Sequence, residues 1–281
     1  MSDEENHKQV LRDSGLEVQR QSLENIDRVR ANAFAQLDAV LPTVRPTLLI
    51  TYGPPASGKG ACQDRFFEVA TAQTKFDANN YFAINIDAIV EQLDATKLVK
   101  QDAENYWLFR PAANAIAEQL LQRGLATSKP LVFETTGNSV DSDWYERMIF
   151  APARETNYYI LVAYPLVPIA ILIDRAKERA KRIGRLPSDE SIREAARNAA
   201  VNLAKLVAHV DLVVVFDNSG SDRCRYEILN CTQQRCEAKC EWTASSEPCV
   251  ARCSEILATI VRKFGVELDE LPCVDACPVN I

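Results

Sequence analysis

Histidine is nearly missing from this 281-residue chain, with His7 and His209 as its whole supply. A catalytic triad built on imidazole, or a histidine-rich metal site, is hard to assemble from two such residues. One of them sits in a polar N-terminal stretch and the other reads as a core or capping residue. Positive charge is also short: 32 Lys and Arg stand against 39 Asp and Glu, for a net charge of -7. That balance gives no general attraction to a phosphate backbone and excludes the gripping of nucleic acid as the main task. Long apolar runs are absent. Nothing approaches the roughly 20 residues a membrane-spanning helix needs. The opening Met-Ser-Asp-Glu-Glu-Asn shows neither the basic nor the apolar stretch of a secretory signal. The expectation is a cytoplasmic protein with no nucleic-acid and no membrane partner.

What is present begins with a hydrophobic content of 47%, enough to bury a substantial core. From Leu16 to Leu41 the apolar positions Leu23, Ile26, Val29, Ala33, Leu37 and Val40 recur every three or four residues. This predicts an amphipathic helix that packs on the parent domain or serves as a partner-binding arm. Pro42 stops it. Leu48 to Tyr52 then reads as a buried strand, followed at once by Gly53-Pro54-Pro55-Ala56-Ser57-Gly58-Lys59-Gly60-Ala61-Cys62. Gly53, Gly58 and Lys59 stand at P-loop spacing, and a helical pattern over Cys62 to Ala72 follows. Glycine lets backbone amides turn inward around a phosphate, the helix N-terminus adds its dipole, and the lysine reaches the terminal phosphoryl oxygens. The residues from Gly53 through Pro54, Ala56, Ser57, Gly58, Lys59, Gly60 and Ala61 are thus candidates for holding ATP. Gly60 and Ala61 stand where a hydroxyl residue ordinarily binds magnesium, so Mg2+ is expected to be held through water and the phosphates. In this the loop resembles that of adenylate kinases, with Ala61 in place of their threonine.

Four more strands follow, over Tyr81 to Ile86, Leu131 to Glu134, Tyr158 to Ala163 and Asp211 to Phe216. Helices separate them: a short one from Ala88 to Leu93, then Asp102 to Arg123 with Gly124 as its stop, Val167 to Ile183 opened by Pro165 and Pro168, and Ser188 to about His209. The order predicts an α/β fold with a five-stranded parallel sheet covered by helices on both faces. Ligands of such sheets gather at the carboxyl ends of the strands, where Asp87 and Glu134 stand. Asp87 is the candidate base for a hydroxyl proton, with an N-cap of the following helix as its plain alternative. Glu134 is placed to orient magnesium-bound water or the substrate, and Thr136 and Asn138 to hydrogen-bond the acceptor, although turn residues at a strand end need no function. Arg175, Arg179, Arg182 and Arg185 form a basic interval suited to clamping phosphate as a lid over about 175–187, or else a solvated helix face.

This order of parts resembles the zeta-toxin-type P-loop kinases, relatives of chloramphenicol phosphotransferase. The resemblance spans about Thr47 to Gly220 and rests on the P-loop, Ile86-Asp87, Glu134-Thr135-Thr136, the arginine-bearing helix and Val215-Phe216-Asp217-Asn218-Ser219. It implies Lys59 as the phosphate lysine, Asp87 as the base, Glu134 and Thr136 as substrate-binding residues, and two of the four arginines as clamps. It also implies phosphorylation of a nucleotide-sugar, typically UDP-N-acetylglucosamine, on a hydroxyl. The chain departs from the family at Gly137-Asn138, where members often place an arginine, and at Ile89, where a second acid is common. A nucleoside monophosphate kinase and a nucleotide-binding adaptor without catalysis are the other readings.

Three divisions are expected: 1–46 as tail and helix, 47–222 as P-loop kinase core, and 223–281 as a small Cys-rich appendage. Eight of the nine cysteines fall between Cys224 and Cys277. So short a segment buries little core and implies disulfides, zinc sites or free thiols. Cys62 stands apart as a buried helix residue. A protein partner is expected at the N-terminal helix or the Cys-rich end.

Overall fold

The computed structural model describes residues 18–74, 76–94, 97–101, 105–137, 142–183, 187–206, 209–218 and 225–230. Asn138, Arg185 and the Cys-rich segment beyond Asn230 lie outside the described residues, as does the side chain of Arg182. In chain order the elements are α1 (Val18–Ala39), β1 (Thr47–Tyr52), α2 (Gln63–Gln73), β2 (Phe82–Ile84), α3 (Ile86–Leu93), α4 (Tyr106–Ala126), β3 (Leu131–Thr135), β4 (Tyr159–Leu166), α5 (Ile169–Ile183), α6 (Asp189–Leu206), β5 (Leu212–Asp217) and β6 (Arg225–Asn230). A broken helical run over 142–155 lies between β3 and β4.

All six residues of β1 are buried because the strand is central, pairing in parallel with β3 on one side and β4 on the other. The strand order is β2-β3-β1-β4-β5-β6, and the first five are parallel as expected. Side chains alternate between the faces with a period of two. Leu48, Ile50 and Tyr52 join a large core with Phe133, Val162 and residues of α1, α3, α4 and α6. Leu49 turns the other way and joins Val132, Leu161 and Phe216 over Phe66, Val69 and Ala70 of α2.

The amphipathic stripe of α1 is spent on this core. Ile26, Val29 and Leu37 are almost completely buried, and Asn25 donates from Nδ2 to the carbonyls of Gln92 and Leu93 at 2.9 and 2.8 Å, closing the exit of α3. Arg123 of α4 grips Asp38 with two bonds of 3.0 and 2.6 Å.

Several expectations need correction. β6 runs antiparallel to β5 and continues the sheet past residue 222, where the core was expected to end. Gly124 does not stop α4. A Cβ there would lie 2.7 Å from a Leu131 methyl, so the glycine lets helix and strand approach, and the helix continues to Ala126. Pro165 belongs to β4, not to the next helix. It is tolerated because β1 pairs only as far as Ala163, so the missing N–H falls beyond that neighbour's reach. Ser188 caps α6, its Oγ accepting from the Ser191 amide at 3.1 Å.

The α1 contact makes a clear prediction. Leu37→Ala should lower the unfolding free energy by about 2–5 kcal/mol in a denaturant titration, whereas a free arm would cost nothing.

Candidate functional site

The parallel arrangement brings the carboxyl ends of β1 to β5 to one edge, so the loop after β1, the α3 entry after β2 and the end of β3 become neighbours. The loop closes tightly: the Ser57 amide bonds to the Pro54 carbonyl at 3.3 Å, and the Ala61 amide to Gly58 at 2.9 Å. Gly58 has φ +82°, and a Cβ on it would lie 2.2 Å from Asn218 Nδ2. Glycine is therefore required twice over, for backbone shape and for the close approach of Asn218. Asn218, just past β5, donates from Nδ2 to the Ser57 carbonyl at 2.8 Å, and Arg175 of α5 holds the Asn218 carbonyl at 2.7 Å. Ser57 Oγ and Asn218 Oδ1 are buried with no hydrogen-bond partner among the described residues.

Lys59 folds back over the loop, donating from Nζ to the carbonyls of Gly53 and Pro54 at 3.0 and 3.4 Å. Glu134 Oε1, at the end of β3, stands 3.8 Å away. Burial pushes the Lys59 ammonium below its ordinary value, the carboxylates of Glu134 and Asp87 oppose that shift, and Arg179 adds to it.

The other Glu134 oxygen accepts from Asn85 Nδ2 at 2.6 Å, while Asn85 Oδ1 accepts from the Ala88 amide at 3.0 Å. Asn85 is therefore the N-cap of α3, which begins two residues earlier than expected. Capping does not occupy Asp87, which sits in the first turn. Asp87 Oδ1 instead accepts from the Tyr106 hydroxyl at 2.6 Å, Arg110 lies 3.6 Å from the same oxygen, and Arg179 of α5 lies 3.8 Å from Oδ2.

Two cavities flank this centre. A larger one of about 710 Å³ holds Asp87, Tyr106, Arg110 and Thr136, and a smaller one of about 470 Å³ holds Gly58, Gly60, Arg175 and Asn218. They share Ala56, Lys59, Glu134 and Arg179. Of the residues singled out from sequence, Lys59, Asp87, Glu134, Thr136, Arg175 and Arg179 thus meet at one edge. Arg110, Tyr106 and Asn85 were missed as site residues. Asn85 carried a signal, as a capping type ending a strand run.

Gly60 has open space, since a Cβ there meets nothing within 4 Å among the described residues. Among the described residues no cluster of three His, Cys, Asp or Glu is arranged to hold a metal, and no helix is long and apolar enough to cross a membrane. Cys62 is buried beside α2, as expected, and takes part in a disulfide.

A phosphate loop at the end of a central parallel strand, with carboxylates at neighbouring strand ends and an arginine-bearing helix across them, defines a P-loop protein of the kinase-like kind. The chain belongs to the Zeta toxin family, whose model matches residues 17–227. It is similar in fold to a chain of the PezAT chromosomal toxin-antitoxin system of Streptococcus pneumoniae, at 15% identity and TM-score 0.52 over 85% of this chain and 96% of that one. It is also similar to the native AvrRxo1-ORF1:-ORF2 complex, at 14% identity and TM-score 0.53 over 88% of this chain and 84% of that one. The same complex with sulphate ions matches at 13% identity and TM-score 0.50, over 94% and 89%. At these identities the likeness is one of fold. No curated protein matches the chain.

The loop geometry predicts a contrast between its glycines. Gly58→Ala should cost about 1–3 kcal/mol in chemical denaturation, through left-handed strain and displacement of Asn218. Gly60→Ala should be neutral or slightly stabilising, because its backbone is not left-handed and its Cβ meets no atom of the described residues.

Proposed function

We propose that this chain is an ATP-dependent phosphotransferase that moves a phosphoryl group onto a hydroxyl of a small molecule, with a nucleotide-sugar such as UDP-N-acetylglucosamine as the acceptor. The observation that carries the reading is the junction of two cavities at Lys59, Glu134 and Arg179, with the phosphate loop on one side and Asp87 on the other. A two-substrate transfer needs such a junction: a donor pocket, an acceptor pocket and compensating charge between them. Both volumes fall within the range of small-molecule sites, and the larger suits a nucleotide-sized acceptor. Family membership supports the acceptor class.

The roles follow from position. ATP supplies the phosphoryl group, and the loop suits its phosphates, with the Lys59 ammonium folded over it and a buried Ser57 hydroxyl that has no partner among the described residues. Asp87 takes the proton of the acceptor hydroxyl as that oxygen bonds to phosphorus and the bond from phosphorus to the leaving ADP oxygen breaks. Arg179, lining both cavities, meets the charge that develops between them. Arg182 and Arg185 are assigned to the same lid, while Arg175 is engaged in tying α5 to Asn218. Thr136 and Asn138 are assigned to polar groups of the acceptor.

Magnesium neutralises phosphate charge when bound. With Gly60 and Ala61 offering no hydroxyl, Glu134 is the carboxylate we assign to it, through water. The toxin-antitoxin naming of the PezAT system favours a protein partner that restrains the activity.

Phosphate transfer from ATP should be measured against UDP-sugars, nucleoside monophosphates and no acceptor. The reading predicts acceptor-dependent ADP release with a UDP-sugar, reduced at least about a hundredfold by Lys59→Ala and by Asp87→Asn with the fold intact by circular dichroism. Preference for a monophosphate would identify a nucleotide kinase, and equal slow hydrolysis with every acceptor an adaptor.

A further inference from the structure

Helix α4 is buried along most of its length, with Phe109, Ala112, Ala113, Ile116 and Leu120 in the large core. One line of polar residues interrupts it: Tyr106, Arg110, Asn114 and Glu118, four apart, all facing the larger cavity. The first three are bonded in sequence, and Glu118 instead accepts from Trp144 Nε1 at 3.0 Å. Arg110 donates from Nε to Asn114 Oδ1 at 2.8 Å and from NH1 to the Tyr106 hydroxyl, and its guanidinium lies 5.7 Å from the Tyr106 ring centre. The Tyr106 hydroxyl reaches Asp87 Oδ1 at 2.6 Å.

The chemistry of these groups fixes the direction of the relay. A guanidinium has donors only, so Arg110 must donate to the tyrosine oxygen. A hydroxyl has a single hydrogen, which is then left for the carboxylate. Asp87 Oδ1 is thereby occupied, while Oδ2 faces Arg179 at 3.8 Å and the cavity shared with Lys59. A carboxylate at a helix N-terminus, about half exposed, has several rotamers open to it; a tyrosine held by its own neighbour one turn on removes that freedom.

We propose that Tyr106, itself held by Arg110, is the positioning residue that fixes the Asp87 carboxylate and presents its second oxygen to the acceptor hydroxyl. The proposal rests on the reading of Asp87 as the base.

Two measurements test it. The first needs no acceptor: carbon-13 labelling at the tyrosine Cζ, with Tyr106 assigned from Tyr106→Phe, follows the ionisation of that phenol. Burial raises the Tyr106 value, Arg110 lowers it and Asp87 raises it. In Asp87→Asn the phenol should therefore ionise at lower pH than in the wild type; an unchanged midpoint overturns the contact and with it the proposal. The second is kinetic, with ATP and UDP-N-acetylglucosamine. Tyr106→Phe should lower kcat about tenfold to a hundredfold and leave KM for ATP unchanged. Added to Asp87→Asn it should cost nothing more, because it acts only through that carboxylate. Losses that multiply overturn the proposal. Should the wild type transfer phosphate to no alcohol, the base assignment falls, and the phenol titration alone decides whether Tyr106 holds Asp87.

Discussion

A lysine ammonium withdrawn from water must be met by oxygen, and the disposition of this molecule follows from how Lys59 is met. Its partners are the carbonyls of Gly53 and Pro54 in its own loop and the carboxylate of Glu134 on the adjacent strand. The loop carbonyls set the closed shape of Gly53 to Lys59, and the carboxylate fixes where β3 must end relative to β1. Register secures the second requirement. Tyr52 pairs with Thr135 and Thr51 with Glu134, so the strand carrying the carboxylate stops level with the strand that launches the loop.

From Glu134 the polar network extends outward in steps, each using both ends of a short side chain. Asn85 caps α3 with its oxygen and holds Glu134 with its nitrogen. Asp87, in the first turn of that helix, is then free of the cap and is held by Tyr106 of α4. On the opposite side Asn218 binds the loop through Ser57 and is itself held by Arg175 of the arginine-bearing helix. Loop, strand ends and the arginine-bearing helix are thus joined by single hydrogen bonds and by a small apolar cluster of Val167, Leu172, Ile173 and Ala176 against which Ala56 packs, and the two cavities lie beside it. Most of the apolar load is carried elsewhere, by α1, α3, α4 and α6 on one face of the sheet and α2 on the other.

Much of this was legible before any coordinates. The run Leu48 to Tyr52 with glycines and a lysine behind it identified the central strand and its loop, because a strand buried on both faces has a continuous apolar signature. Lys59, Asp87, Glu134 and Arg179 were legible because parallel strands send their carboxyl ends to one edge. Tyr106 and Arg110 were not, since a polar line on a buried helix announces no partner until the helix is set against α3. Gly124 misled for a related reason: its use is an approach to Leu131 across the core, and local pattern alone reads glycine near a helix end as a stop. β6 was not legible, because six residues between Cys224 and Cys231 are too short an alternation to stand out from a cysteine-rich segment.

The central claim is that the loop after β1 and the Lys59 ammonium together grip the phosphates of ATP. Titration of the full chain with magnesium and ATP, followed by the phosphorus-31 resonances of the nucleotide, addresses that claim without reference to any acceptor. The account predicts that the β- and γ-phosphorus signals shift on addition of wild-type protein and stay at their free positions with folded Lys59→Ala. Equal shifts with both proteins, or none with the wild type, would contradict it.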